Sequence, residues 1–432
     1  MIDMQSWRLA GARKIALEVA RHLRADVSLE LWNGEIIPLG PGSPADKRII
    51  VRSPGAIRRL MLEPGLMSFF ELYAARELDV SGGSLLEISR LIDHGRSRRL
   101  AKNMNRFRLL KAAVPFLAPV KSASATAGFN ATVPLHPAEG RDDKALISFH
   151  YDVSNAFYQL FLDPEMVYSC GYFENPQTSL EDAQQAKLDR ICQKLRLQPG
   201  DRLLDIGSGW GGLICHAAKK YGAVCHGVTL SASQFEFANA KIATLGLQDR
   251  ITLELKDYRA IDPGARYDKI VQIEMFEHVG LANHDKHFEW IHQLLEIRGL
   301  YLHQASTRIA PRDLSRFQRL TPYMKFINTY IFPGGEMDHI GMTVTNLERH
   351  GFEVHDVEGM REHFQLTVEA WVNRLEANKV AAESEIGEQK TRLWLLYLSM
   401  CARAFERGGL GLFQTLATKK HAGASGLPFH RI

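Results

Sequence analysis

LLDIGSGWGG, residues 203–212, reads as an apolar strand that runs into a glycine-rich turn and then opens a helix. Gly207, Gly209 and Gly212 satisfy G-x-G-x-x-G, the spacing of dinucleotide-binding turns. By itself that spacing does not choose a ligand. A nicotinamide dinucleotide also needs an acidic residue at the end of the second strand, to hold its ribose. Here the second strand ends VTLSASQ (228–234), and the first carboxylate after the glycines is Glu236, already inside the next helix. A methionine-derived sulfonium nucleoside suits these residues better. It has no pyrophosphate but carries an ammonium, a carboxylate and two ribose hydroxyls. Asp205, ending the first strand, suits its cationic side, and the glycines, Gly211 included, let backbone approach where a Cβ would collide. Thr229, Ser231 and Gln234 offer neutral hydrogen bonds to a ribose. Asp257 and Tyr258 end the third strand, where a carboxylate and a ring can grip an adenine.

Working outward, strand and helix alternate from about residue 145. Strand patterns at 201–207, 223–231, 250–257, 267–274 and 300–307 are separated by helical ones. Such repeats predict an α/β fold with a doubly wound, mainly parallel sheet. Residues 1–111 read instead as a smaller α+β module, with a hairpin signal at Asn33-Gly34. Residues 112–144, rich in Ala, Ser, Pro and Gly, read as a linker, and 145–432 as the catalytic domain.

Composition narrows the class further. The 432 residues are 45% hydrophobic, enough for two cores, and no apolar run is long enough to span a bilayer. The N-terminus lacks a signal-peptide pattern. Cys170, Cys192, Cys215, Cys225 and Cys401 are odd in number and lack C-x-x-C spacing, which argues against a disulfide framework and against a metal site. A cytoplasmic protein is expected. The net charge of +4 is unevenly spread: residues 1–121 carry 20 Lys+Arg against 12 Asp+Glu, leaving the remainder net negative. Within 96–111 seven basic residues and no acidic one alternate with Leu100, Met104, Phe107, Leu109 and Leu110. Such a segment suits an anionic membrane surface, although nucleic acid would fit the charge alone.

Several segments are more specific than any glycine turn: YSCGYF (168–173), MFEHVG (275–280) and KFINTYIFPGG (325–335), with GVTLSASQ (227–234), YLHQAST (301–307) and LSMCARAF (398–405). In this order they resemble the cyclopropane-fatty-acyl-phospholipid synthases and the related mycolic acid cyclopropane synthases. The resemblance implies a seven-stranded methyltransferase sheet using S-adenosylmethionine. It also implies transfer of a methylene to the cis double bond of an unsaturated phospholipid acyl chain. It puts Tyr168, Ser169, the 204–212 loop, Thr229, Ser231, Gln234, Asp257 and Tyr258 at the cofactor. Cys170, Glu277 and His303 fall around a bicarbonate ion that acts as base, and Cys401 matches the position of an active-site cysteine. Glu274 and His278 rank lower as substitute partners. A membrane bilayer as substrate, with peripheral attachment to the inner membrane face, and a homodimer are expected with this resemblance; no nucleic acid partner is expected, because the basic excess lies N-terminal and not near the catalytic residues.

Two departures stand out. Ser208 replaces the cysteine usual in the glycine loop, small for small. Phe364, in HFQLTVEAW (363–371), stands where the family has a tyrosine that gives a hydroxyl to bicarbonate. Loss of one donor to a buried anion costs roughly 1–3 kcal/mol. A weakened bicarbonate site leaves open a methyl- or methylene-branched product instead of a ring, or a cofactor-fold membrane protein without activity.

Overall fold

The computed structural model describes residues 3–23, 25–92, 104–120 and 153–429. The chain folds into two units. One holds the described residues up to Val120 together with Leu320–Phe326 and Ala382–Arg403; the other holds the rest. The chain therefore returns to its N-terminal unit twice from the C-terminal half.

The first unit carries a four-stranded sheet of β1 (Ser28–Glu30), β2 (Ile36–Pro38), β3 (Arg48–Val51) and β4 (Leu78–Ser81), in the order β2-β1-β3-β4. β1 and β2 pair antiparallel across the Asn33-Gly34 turn, where Gly34 takes φ +83°. Ala12, Ala16, Leu31, Val51, Leu72 and Phe116 form its core. The expected linker begins later than its composition indicates. Arg106–Ala113 is a helix capped by the Asn105 side chain, and Ala112 and Phe116 are buried in this unit. A Cβ on Gly11 would come within 2.6 Å of the Ala112 carbonyl, so only glycine permits that helix approach. Of the basic segment 96–111, residues 96–103 lie outside the described residues. The remainder exposes Phe107 and Leu110 beside Arg106, Arg108 and Lys111, and Leu117 just beyond it is exposed as well, each of the three apolar residues about two-thirds accessible. Among the described residues no helix is long and apolar enough to cross a membrane.

The second unit is built on seven strands: β5 (Arg202–Ile206), β6 (Val224–Thr229), β7 (Ile251–Leu255), β8 (Tyr267–Ile273), β9 (Leu295–Arg308), β10 (Phe352–Gly359) and β11 (Leu410–Lys419). Their order is β10-β11-β9-β8-β5-β6-β7, parallel except for β11, which runs antiparallel to β9 and β10. This is the expected doubly wound α/β sheet. Its central strands are buried on both faces, hence the continuous apolar runs rather than alternation. Strand order reverses at β5, with β6 on one side and β8 on the other. Such a switch point opens a crevice beyond the carboxyl ends of the strands.

Tight packing behind the glycine turn holds that crevice in shape. Gly211 adopts φ +81°, and a Cβ there would meet Ala238 Cβ at 3.1 Å on the helix Ala232–Thr244. Gly211→Ala is expected to cost about 1–2 kcal/mol through left-handed strain and this contact. A shift of the urea midpoint of the intact chain measures it.

Candidate active site

One cleft occupies the crevice, and four strand ends supply its wall. Asp205 ends β5, Thr229 ends β6, Asp257 and Tyr258 follow β7, and Glu274 follows β8; all five line the cleft with Gly207, Gly209, Gly212 and Gln234. The turn is built for close approach. Gly207 and Gly209 take φ +84° and +55°, and no atom lies within 4 Å of where a Gly209 Cβ would sit. The Ser208 hydroxyl donates to the Asp205 carbonyl at 3.0 Å, closing the turn from inside.

The polar groups on this wall are matched to a small cationic nucleoside. Burial pushes the Asp205 carboxyl up to about 7, so an adjacent cation would favour its ionised form. The Thr229 hydroxyl donates to Gln234 Oε1 at 2.9 Å, which leaves the Gln234 amide N–H groups facing the cleft. Burial opposes ionisation of Asp257, but bonds from Arg259 outweigh it and hold that carboxyl below its ordinary range. Gly211 and Ser231 are not on the wall: Gly211 packs on Ala238, and the Ser231 hydroxyl caps the helix Ala232–Thr244 through Gln234 N–H.

A second wall comes from 166–169 and the helix Leu180–Lys194. Tyr168 and Ser169 line the cleft. Lys187 does too, fully buried, its ammonium donating to Ser169 Oγ at 2.8 Å. Burial pushes its pKa down, while Glu274, Asp163, Cys170 and Asp205 oppose the shift. Sequence reading missed this lysine. The signal was present, because Leu180, Ala183, Gln184, Lys187, Leu188 and Ile191 form one helical stripe, and all are buried.

Behind the β8 end lies a cluster of polar groups. Glu274 takes φ +51°, a strained conformation for a residue with a Cβ, and its N–H donates to the Gln304 carbonyl. Its Oε1 accepts from Cys170 N–H at 2.9 Å and from Gln304 Nε2 at 2.7 Å. Glu277 sits one short turn deeper. Its Oε1 accepts from Ser306 N–H at 2.7 Å, and its buried Oε2 has no hydrogen-bond partner among the described residues. Neither Glu277 nor His303 lines the cleft, whereas Glu274 and His278 do.

A relay of hydrogen bonds sets the state of His303. Tyr301 donates to Gln272 Oε1 at 2.7 Å, so its oxygen accepts from His303 Nδ1–H at 3.1 Å. The unprotonated Nε2 of His303 is buried and unpartnered among the described residues. Burial pushes the ring pKa down to about 3, so it is neutral.

These groups offer a bound bicarbonate few hydrogen-bond donors. The Cys170 N–H and one N–H of the Gln304 amide go to the Glu274 carboxylate. His303 presents a lone pair, and two carboxylates already crowd the space. Burial, followed by the Glu274 charge, raises the Cys170 thiol well above its ordinary value, so it is no thiolate.

The sequence comparison with known families matches residues 139–415 to the mycolic acid cyclopropane synthetase model. The chain belongs to this family. It is similar over nearly its whole length to a probable fatty acid methyltransferase of Pseudomonas putida, 35% identical over 95% of this chain and 96% of that one. A probable fatty acid methyltransferase of Mycobacterium tuberculosis is 33% identical over 85% of this chain and 86% of its own. Among solved structures, the mycolic acid cyclopropane synthase CmaA1 in complex with SAH and CTAB superposes with TM-score 0.61 at 34% identity. It covers 65% of this chain and 100% of that one.

Within the family frame, Phe364 is buried against Trp371 and Phe405, with ring centroids 6.0 and 4.7 Å away. It supplies no donor. The adjacent His363 is not on the cleft wall; its Nδ1 accepts from Phe173 N–H at 3.0 Å and its ring stacks on Tyr172. Cys401 lies buried in the first unit on the helix Glu388–Glu406, and burial pushes its thiol up to about 12. That is a packing cysteine.

Proposed function

We propose that this chain is an S-adenosylmethionine-dependent enzyme that transfers a one-carbon unit to the double bond of an unsaturated phospholipid acyl chain. The observation that carries the reading is the set of four strand ends, which turn Asp205, Thr229 with Gln234, Asp257 with Tyr258, and Glu274 onto one glycine-floored cleft. S-adenosylmethionine, when bound, supplies the electrophilic methyl carbon. Asp205 would hold its ammonium, Gln234 its ribose hydroxyls, and Tyr258 its adenine. Tyr168, with Tyr158 and Trp371 around it at 5.4 and 5.0 Å, gives the site an aromatic flank that favours developing positive charge and keeps water out.

The SAH-bound relative and the acyl-lipid names of the others support this reading. A phospholipid bilayer as substrate is supported by the exposed Phe107, Leu110 and Leu117 beside Arg106, Arg108 and Lys111, a pattern that inserts apolar tips among anionic headgroups. Phe364 and the fatty acid methyltransferase relatives favour a second outcome of the same transfer, a methyl- or methylene-branched chain in place of the ring. Incubation with methyl-labelled cofactor and vesicles of monounsaturated phosphatidylglycerol tests both. Label in the acyl chains is the expected result, with far-upfield proton resonances marking a ring and their absence a branch. Label that stays in water-soluble products overturns the reading.

A further inference from the structure

We propose that the Glu274 carboxylate is itself the base that removes the proton after methyl transfer, standing where a bicarbonate ion was expected. The assignment rests on the acyl-transfer reading above. Methyl transfer to an alkene leaves a carbocation on the acyl chain, and the reaction ends only when a neighbouring C–H bond breaks. Its electron pair closes the ring or forms a new C=C bond, and its proton passes to the base. Some acceptor must reach that carbon from the cleft.

Four observations place Glu274 there. First, among the carboxylates of this cluster it is the one that lines the cleft beside Tyr168, Lys187 and Met275; Glu277 does not. Second, its two oxygens are differently engaged. Oε1 takes both the Cys170 N–H and a Gln304 amide N–H, while Oε2 receives no hydrogen bond among the described residues and is not one of the buried unpartnered atoms. One oxygen is anchored and the other faces the cavity. Third, the residue holds φ +51° where glycine would be unstrained, and such strain persists where the surroundings impose it. Fourth, an anchored carboxylate does what the donors of an anion site would otherwise do for a bound ion: it fills them. A bicarbonate beside it would meet two carboxylates and find the Cys170 N–H already committed.

The basicity is suited to the task. Burial and then the Glu277 charge push the Glu274 carboxyl up to about 7, against the bonds from Cys170 N–H and Gln304 and the charge of Lys187. A base poised near the working pH combines ionisation with proton affinity. The proton it takes leaves to solvent through the cleft, so no co-reactant is required.

The test compares wild type, Glu274→Gln and Glu274→Gly on monounsaturated phospholipid vesicles with methyl-labelled cofactor, in carbon dioxide-depleted buffer with and without added bicarbonate or formate. Wild-type turnover should be indifferent to either anion. Glu274→Gln keeps the shape of the anchored group but not its basicity, and should lose about 100-fold or more in turnover. Its affinity for S-adenosylhomocysteine, read by calorimetry, should stay within a few-fold, which shows that the cleft is intact. Glu274→Gly frees the Cys170 and Gln304 donors, so formate or bicarbonate should restore part of the lost turnover. A wild type that labels lipid only when bicarbonate is added overturns this assignment alone, as does a Glu274→Gln variant with wild-type turnover. A wild type that labels no lipid under any condition overturns the acyl-transfer reading and the assignment with it.

Discussion

Gly209→Val should abolish cofactor binding while leaving the fold in place. Gly209 sits at φ +55° with open space beyond it, so an added side chain strikes no protein atom. The position lines the cleft with Gln234 and Tyr258, so the added side chain takes up space there. The backbone cost is about 1–2 kcal/mol for a left-handed residue with a Cβ. In a unit of this size that corresponds to a melting shift of several degrees at most. The ligand loses its closest approach to backbone, and affinity for S-adenosylhomocysteine is expected to fall at least 100-fold by calorimetry. Gly211→Ala is the matched control, since its Cβ meets Ala238 and not the cleft. It should lower stability with little change in affinity. Wild-type affinity in Gly209→Val would mean that the cofactor does not lie on this turn.

Arg392→Ala should be the most damaging single change to the first unit. Arg392 is about as buried as any side chain in the protein, 2% accessible. Its Nε donates to the Tyr73 carbonyl at 2.7 Å, and its Nη2 to the Leu78 carbonyl at 3.0 Å and to Asp79 Oδ1 at 3.2 Å. The guanidinium also lies 4.1 Å from the centre of the Tyr73 ring. Truncation strands two carbonyls and takes one of its cations from Asp79, which keeps Arg52, a loss of about 2–4 kcal/mol. Lysine cannot supply the fork of donors, so Arg392→Lys should recover little. Burial opposes ionisation of Asp79, but Arg52 and Arg392 outweigh it and hold its carboxyl below the usual range. A depressed folded-state pKa contributes stability above the unfolded value, and that stability is lost as pH falls through the folded one. The destabilisation should therefore shrink in acid. Urea unfolding of the full chain at pH 7 and at pH 3 measures both effects. An equal loss at the two values would remove Asp79 from the explanation.

Much of the catalytic unit was legible in the chain because its signals are local. β5 to β9 announce themselves as apolar runs between helices, and the turn at 207–212 by glycines that positive φ requires. The absence of an acidic residue at the end of β6 was enough to set the dinucleotide aside. β10 and β11 were not evident from the strand–helix repeat. They pair antiparallel, β11 with β9 and β10, across long intervening segments. The first unit was legible only as far as about residue 111. Arg392 and its helix join it from nearly 300 residues away, and no pattern within 382–403 says so.

Local pattern thus determined the doubly wound sheet, the turn and the identity of the polar groups at its strand ends, since strand and helix periods orient side chains over a few residues. Tertiary structure alone decided which of two glutamates, three positions apart, meets the cleft. Where β8 ends the backbone leaves every regular geometry at Glu274, and Glu277 follows in a short turn whose carboxylate is drawn back onto Ser306 N–H. No period survives such a bend. The donors that anchor Glu274 arrive from residues 170 and 304, so only the folded chain could commit them to a carboxylate in place of a free anion.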